Sequence, residues 1–260
     1  MAPQVIDEVV SSGVARVSRK TGAKRDRLFY TGAGAFFLVL TLIGFQHYIF
    51  EGKRFDGTSI EPSMVATVVA HSSAIFAWYV LFFVQSLLIY AQNRRLHMKL
   101  GWSVLVIAAT IAVTGPMVAT GSMRISWDVV FFDWSARQFL LIMYSEIALF
   151  VVFVAIGVLN RKRPRIHRPM MLMASLSLLS GAASRITLVN SVFGLHRWMG
   201  LFGPPVVVGA LLLLVRVAMT RKVDREFVVG YAAFVVATFV VSGLALTSVW
   251  GNLAGKIIGH

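Results

Sequence analysis

Residues 161–186 read RKRPRIHRPMMLMASLSLLSGAASRI. A dense run of cations gives way, within about one helical turn, to small and apolar residues. Whether the segment 169–189 crosses a membrane decides the fold, because it sets the side on which everything after it lies. Six other apolar segments, at 29–50, 66–91, 100–121, 137–159, 199–218 and 227–249, are of the length that spans a ~30 Å hydrocarbon core. Two of the seven carry an irregularity. Arg185 interrupts the fifth, and FGPPVVVG (202–209) is expected to kink the sixth. The chain is 57% hydrophobic over 260 residues, more than a single soluble core could bury.

The cations support counting residues 169–189 as a crossing. With the N-terminus inside, the inner segments hold Arg16, Arg19, Lys20, Lys24, Arg25 and Arg27. They also hold Arg94, Arg95 and Lys99, then Arg161, Lys162, Arg163, Arg165 and Arg168, then Arg216, Arg221, Lys222 and Arg225. These are eighteen of the 25 Lys and Arg residues, and a six- or eight-helix arrangement would spoil the alternation. The sequence therefore predicts an all-α polytopic membrane protein: a single bundle of seven transmembrane helices, N-terminus cytoplasmic, C-terminus outside. Residues 1–28 form a basic cytoplasmic arm without the apolar core of a signal peptide, and residues 29–260 form the transmembrane domain. The expected location is the bacterial inner (plasma) membrane.

The net charge of +14 would suggest nucleic acid in a soluble protein, but these cations are divided among separate inner loops. Anionic lipid headgroups on the cytoplasmic side of the bilayer are the expected partners, and nucleic acid is not. The absence of cysteine excludes thiolate metal sites, iron–sulfur clusters and cysteine nucleophiles. The final helix has no lysine for a retinal Schiff base. On the outer side, Trp127, Phe131, Phe132 and Trp134 read as interfacial anchors or as a short surface helix.

Charged and ionisable groups inside the bilayer cost at least ~2.5–3.5 kcal/mol each on insertion scales, so their positions mark candidate sites. His47, His71, Glu146 and His196 all fall in the outer half, a ligand set that suits a transition metal by type. His71, Trp78 and Gln85 recur every seven residues on one stripe of the second helix. On the fifth, Ser177, Gly181, Ser184 and Arg185 share a face of small residues, which is expected to turn Arg185 inward toward Glu146. Trp78, Gln85 and Arg185 thus line an expected polar pocket open to the outside. At the inner face, His97 and His167 each open an odd-numbered helix and are candidates for holding a cofactor, with lipid-phosphate contact as the plainer alternative.

The segments AHSSAIFAWYVLFFVQSLLIYAQNRRLHMKLGW (70–102) and NRKRPRIHRPMMLMASLSLLSGAASRI (160–186) resemble a family of uncharacterised bacterial multi-pass membrane proteins. Its marks are a helix-start R-x-x-H-x-x-x-G turn and a later H-[KR]-x-x-M segment. His71, Trp78, Gln85, Arg94, His97, Gly101, His167, Met171 and Arg185 carry the match, over helices two to five. The resemblance implies the fold and no activity. A looser likeness is to the b-type transmembrane cytochromes, although those place histidine pairs on facing helices at matched depth. The expected function is redox or metal/haem handling, with haem b or a transition-metal ion bound. Two alternatives stand beside it. One is a small-molecule or proton-coupled transporter using Glu146 and Arg185, and the other is a seven-helix metal-dependent lipid hydrolase with Glu146 as base.

Overall fold

A computed structural model describes residues 2–53, 59–193 and 197–259, with side chains from residue 22 onward and not at residue 197. The protein is 84% helix, so the all-α expectation holds. The first helix, α1 (Ala2–Gly44), runs without a break through the expected arm boundary at residue 28. After it come α2 (Gln46–Glu51), α3 (Val65–Tyr90), α4 (Arg94–Leu100) and α5 (Ser103–Ile125). A hairpin of β1 (Val130–Phe131) and β2 (Trp134–Ser135) precedes α6 (Ala136–Leu159), α7 (Pro164–Ser177), α8 (Leu179–Ala183) and α9 (Thr187–Phe193). The chain closes with α10 (Arg197–Thr220), α11 (Arg225–Ala245) and α12 (Ser248–Ile258). Pro204 and Pro205 both lie inside α10, which continues through them.

Among the described residues six stretches are long and apolar enough to cross a membrane: Gly22–Gly44, Pro62–Tyr90, Arg94–Ile125, Ala136–Leu159, Trp198–Thr220 and Arg225–Ala245. Their outward faces carry exposed large apolar residues such as Val106, Val113, Leu214, Val236 and Phe239. An apolar band of that kind suits a lipid surround and not water. These six pack in a closed ring. α1 neighbours α3, then come α5, α6, α11 and α10, and α10 returns to α1.

The fifth expected helix sits inside that ring. It is broken at Leu178 into α7 and α8, and every residue from Pro169 to Ser180 is buried. A helix buried on all sides needs no lipid-facing stripe. That explains why serines and glycine are tolerated in the segment whose hydropathy is least membrane-like. Small residues also let the ring close tightly on it. At the last turn of α7, where helical carbonyls lack intrahelical partners, the Tyr79 hydroxyl donates to the Ser175 carbonyl at 2.9 Å. The Trp78 indole Nε1 donates to Ser175 Oγ at 3.1 Å, and its ring meets Phe150 edge-on. Trp78→Phe is therefore expected to lower stability by about 1–2 kcal/mol from the lost hydrogen bond and indole contacts, read from thermal unfolding in detergent.

The outer loop holds a hairpin in place of the short surface helix that was one of its two readings. Phe132 and Asp133 occupy its turn at φ 51° and 63°, the left-handed pair that a two-residue hairpin requires. Trp134 is fully buried, whereas Trp127 is exposed. A capping box follows: Ser135 Oγ accepts from Gln138 N, and Gln138 Oε1 accepts from Ser135 N. The C-terminal segment departs from expectation too. α11 ends at Ala245, and α12, capped by Thr247, lies across α5 and α6. Trp250 Nε1 donates to the Arg137 carbonyl at 2.7 Å, and the Arg124 guanidinium donates to the Ile257 carbonyl at 2.8 Å.

Candidate functional site

Two groups of polar side chains stand inside the bundle. The first surrounds the break between α7 and α8. From α3, the His71 Nδ1 meets Thr114 Oγ1 of α5 at 3.0 Å. Thr114 already donates to the Thr110 carbonyl at 2.6 Å, so His71 Nδ1–H is the donor and its Nε2 carries the lone pair. Gly115 makes the meeting possible. A Cβ there would stand 2.7 Å from Ile147 Cδ1 and 3.3 Å from His71 Cε1, so glycine lets α3 and α6 close over α5. One residue before Ile147, the Glu146 Oε1 is sealed from solvent with no hydrogen-bond partner among the described residues. Ser180 Oγ, also buried, lies beside it on α8, where its hydroxyl acts on the carboxylate.

Arg185 belongs to this group but at its edge. It is exposed rather than turned into the bundle, its guanidinium 4.9 Å from the Phe45 ring centroid and donating to the Gly181 carbonyl. From there its charge acts on both Glu146 and His71. The physical reason is the end of α8 at Ala183, which leaves Arg185 in the connection that follows.

Among the described residues the expected metal ligands His47, His71 and Glu146 do not form a metal-binding group. α1 ends at Gly44, so His47 stands on the separate helix α2, where it is exposed and donates to Glu51 Oε1 at 2.8 Å. His71 spends Nδ1 on Thr114, and His196 lies outside the described residues. Among the described residues no group of three or more His, Asp or Glu side chains could hold a metal ion. Of the expected pocket residues, Trp78 is absorbed into the packing around Ser175.

The second group stands at the other, basic end. There the His167 Nδ1 donates to the Gly157 carbonyl of α6 at 2.8 Å, and His97 lies near enough for the two rings to interact electrostatically. Gln85 is 8% exposed, and neither its Oε1 nor its Nε2 has a hydrogen-bond partner among the described residues; His97 Nδ1 is likewise buried and unpartnered. Next to this group an ionic network joins three ring helices to the centre. Asp26 accepts from Arg168 of α7 and pairs with Arg216 of α10 at 2.8 Å. Arg216 in turn donates to Asp224, the N-cap of α11, at 2.6 and 2.9 Å.

Ser180, Thr114, Asp26 and Asp224 were not among the residues singled out from the sequence, and Arg216 was counted there only as an inner cation. Asp26 and Asp224 did carry a signal, since each is an acid set within a run of cations, KRDR and KVDR. Thr114 and Ser180 carried none, because a hydroxyl in an apolar helix commonly bonds its own backbone. The chain matches no protein-family model, no curated protein and no solved structure.

Proposed function

We propose that this chain is a proton-coupled carrier of a small molecule. It is embedded in the bacterial inner membrane by seven crossings, with its N-terminus cytoplasmic and its C-terminus outside. One observation carries the reading: Glu146 and Ser180 stand side by side at the break of the central helix, with Glu146 Oε1 and Ser180 Oγ sealed from solvent and without a polar partner beyond each other among the described residues. Buried polar oxygens are normally satisfied, so a pair left open in the bundle interior is available to a proton or a solute. Intramembrane carboxylates mark proton and substrate paths, and carriers place such sites where a central helix is discontinuous. Arg185 at the rim supplies a charge that draws an anionic group toward the site. The segment Pro164–Ala183 supports a seventh crossing, since twenty residues at the helical rise extend for about 30 Å despite the break.

The test is transport. The protein is reconstituted in liposomes loaded with a pH-reporting dye and challenged with organic acids, amines and amino acids. At least one solute is expected to move protons with it. Glu146→Gln should lower that flux by about 100-fold or more, with the protein still folded. A flux that survives Glu146→Gln would sink the reading. For topology, a reporter fused after His260 is expected to score as periplasmic, following the eighteen cations assigned to the inner side.

A further inference from the structure

We propose that Arg137, Asn252 and Lys256 form a binding site for the phosphate of an anionic phospholipid, where α12 lies across the ends of α5 and α6. The site is separate from Glu146 and does not depend on the carrier reading.

Packing puts α12 at the membrane boundary. Its buried residues Ala254 and Ile258 join a cluster with Met123 of α5 and Ala136 of α6. Met123 and Ala136 stand at the ends of Arg94–Ile125 and Ala136–Leu159, two of the stretches long enough to cross a bilayer. Two ties hold α12 there. Trp250 Nε1 donates to Arg137 at 2.7 Å, through the Arg137 backbone carbonyl and not its side chain, and the Arg124 guanidinium donates to the Ile257 carbonyl at 2.8 Å. The open face of α12 is divided lengthwise. Val249 and Leu253, 78% and 50% exposed, follow one another at one helical turn, and the exposed Asn252 and Lys256 run beside them. An apolar strip next to a polar one meets acyl chains and headgroups at once.

On the polar side of that boundary, Arg137, Asn252, Gly255, Lys256 and Gly259 line an open cavity of about 560 Å³. The lining has two cations, an amide and two residues without side chains, and it contains no carboxylate. Among the described residues no carboxylate forms an ion pair with Arg137 or Lys256. Helix electrostatics explains only part of this charge. Lys256 in the last turn of α12, and Arg124 at the carbonyl of Ile257, offset the negative end of that helix. Arg137 does the reverse. It stands in the first turn of α6, where the helix end is already positive and an acid would be favoured. A bound anion is attracted by both the guanidinium and the helix end. A phosphodiester suits the lining, because its oxygens can accept from a guanidinium fork, an ammonium and an amide together. The acyl chains of the same lipid cover Val249 and Leu253, which a free phosphate would leave bare.

The test is native mass spectrometry of the full-length protein, titrated in detergent with phosphatidylglycerol. The wild type should retain one lipid more tightly than the rest. In the double variant Arg137→Gln, Lys256→Gln the affinity for that lipid should fall about tenfold or more. In Arg137→Lys, Lys256→Arg, which keeps both charges, it should stay within about threefold of the wild type. Both doubles should unfold at the wild-type temperature once stripped of lipid, since the substituted residues are exposed. The control is Arg161→Gln, Lys162→Gln, which removes the same charge beyond the far end of α6 and should leave the tight lipid in place. Equal losses in the two neutralised doubles would overturn the proposal, because diffuse attraction between cations and anionic lipid would then explain the binding. Displacement of the retained lipid by millimolar inorganic phosphate would also overturn it, since the site would then take the free ion. So would equally tight retention of zwitterionic phosphatidylcholine.

Discussion

Arg216→Ala is expected to destabilise the protein by about 3 kcal/mol, which thermal unfolding in detergent would show as one of the larger losses for a single substitution. Arg216 is 9% exposed and serves two carboxylates at once, Asp26 on α1 and Asp224 at the start of α11. Its guanidinium also lies over Phe29 and Tyr30, at 5.2 and 5.0 Å from the ring centroids. Truncation would leave Asp224 without its cation in a half-buried position, with a single long bond to the Phe227 amide at 3.4 Å. Asp26 would keep Arg168, so the damage should concentrate where α10, α11 and α1 meet. Arg216→Lys restores the charge but not the fork that reaches both acids, and should recover less than half of the loss. Breaking a buried pair is costly mainly because the remaining charge is stranded. Arg216→Met combined with Asp224→Asn should therefore be milder than Arg216→Met alone. A cost of under about 1 kcal/mol for Arg216→Ala would mean that the network behaves as a solvated surface pair.

Gly44→Val should be at least as damaging, at about 3 kcal/mol or more, and should loosen the central helix break specifically. A Cβ on Gly44 would fall 2.8 Å from the carbonyl carbon of Ala182 and 2.9 Å from its Cα, and would run into the Ala182 oxygen. These are backbone atoms of α8, which cannot turn aside as a long side chain can. Either α1 or α8 must move, and α8 carries Ser180 beside Glu146. The contrasting substitution is Gly32→Ala, where a Cβ meets nothing within 4 Å. It should be neutral, or should stabilise α1 by up to about 1 kcal/mol through helix propensity. Equal effects at the two glycines would show that the α1–α8 approach does not constrain the fold.

Much of the architecture was legible because bilayer crossing is a local requirement. Six of the seven apolar segments correspond to long helices. The errors fell where local pattern and partner disagree. Hydropathy extended the first helix to residue 50, but α1 stops at Gly44 where it meets α8, and His47 passes to α2. Residues 227–249 read as one apolar run, yet the chain turns at Leu246 because the face of α12 with Ala254 and Ile258 finds cover against α5 and α6.

The candidate sites were legible residue by residue but not as groupings. The seven-residue stripe correctly put His71, Trp78 and Gln85 on one face of α3, yet the three serve different neighbours. His71 meets Thr114, Trp78 meets Ser175, and Gln85 lies by His97. A helical period specifies direction and leaves open which helix waits there. The inward orientation expected for Arg185 failed for a related reason, since a face of small residues holds its direction only while the helix continues.

By itself, then, the sequence determined that this chain is an all-helical membrane protein, which segments are long and apolar enough to cross, and which polar groups stand among them. Transfer from water to hydrocarbon depends on the composition of each segment, whatever surrounds it. Tertiary structure alone decided that the least apolar segment is the central one, enclosed by a ring of six, and that Glu146 meets Ser180 at its break. It also decided that Asp26, Arg168, Arg216 and Asp224 form one network. These outcomes come from close packing and charge pairing between residues distant in the chain, whose energies depend on separations that no single stretch of sequence contains.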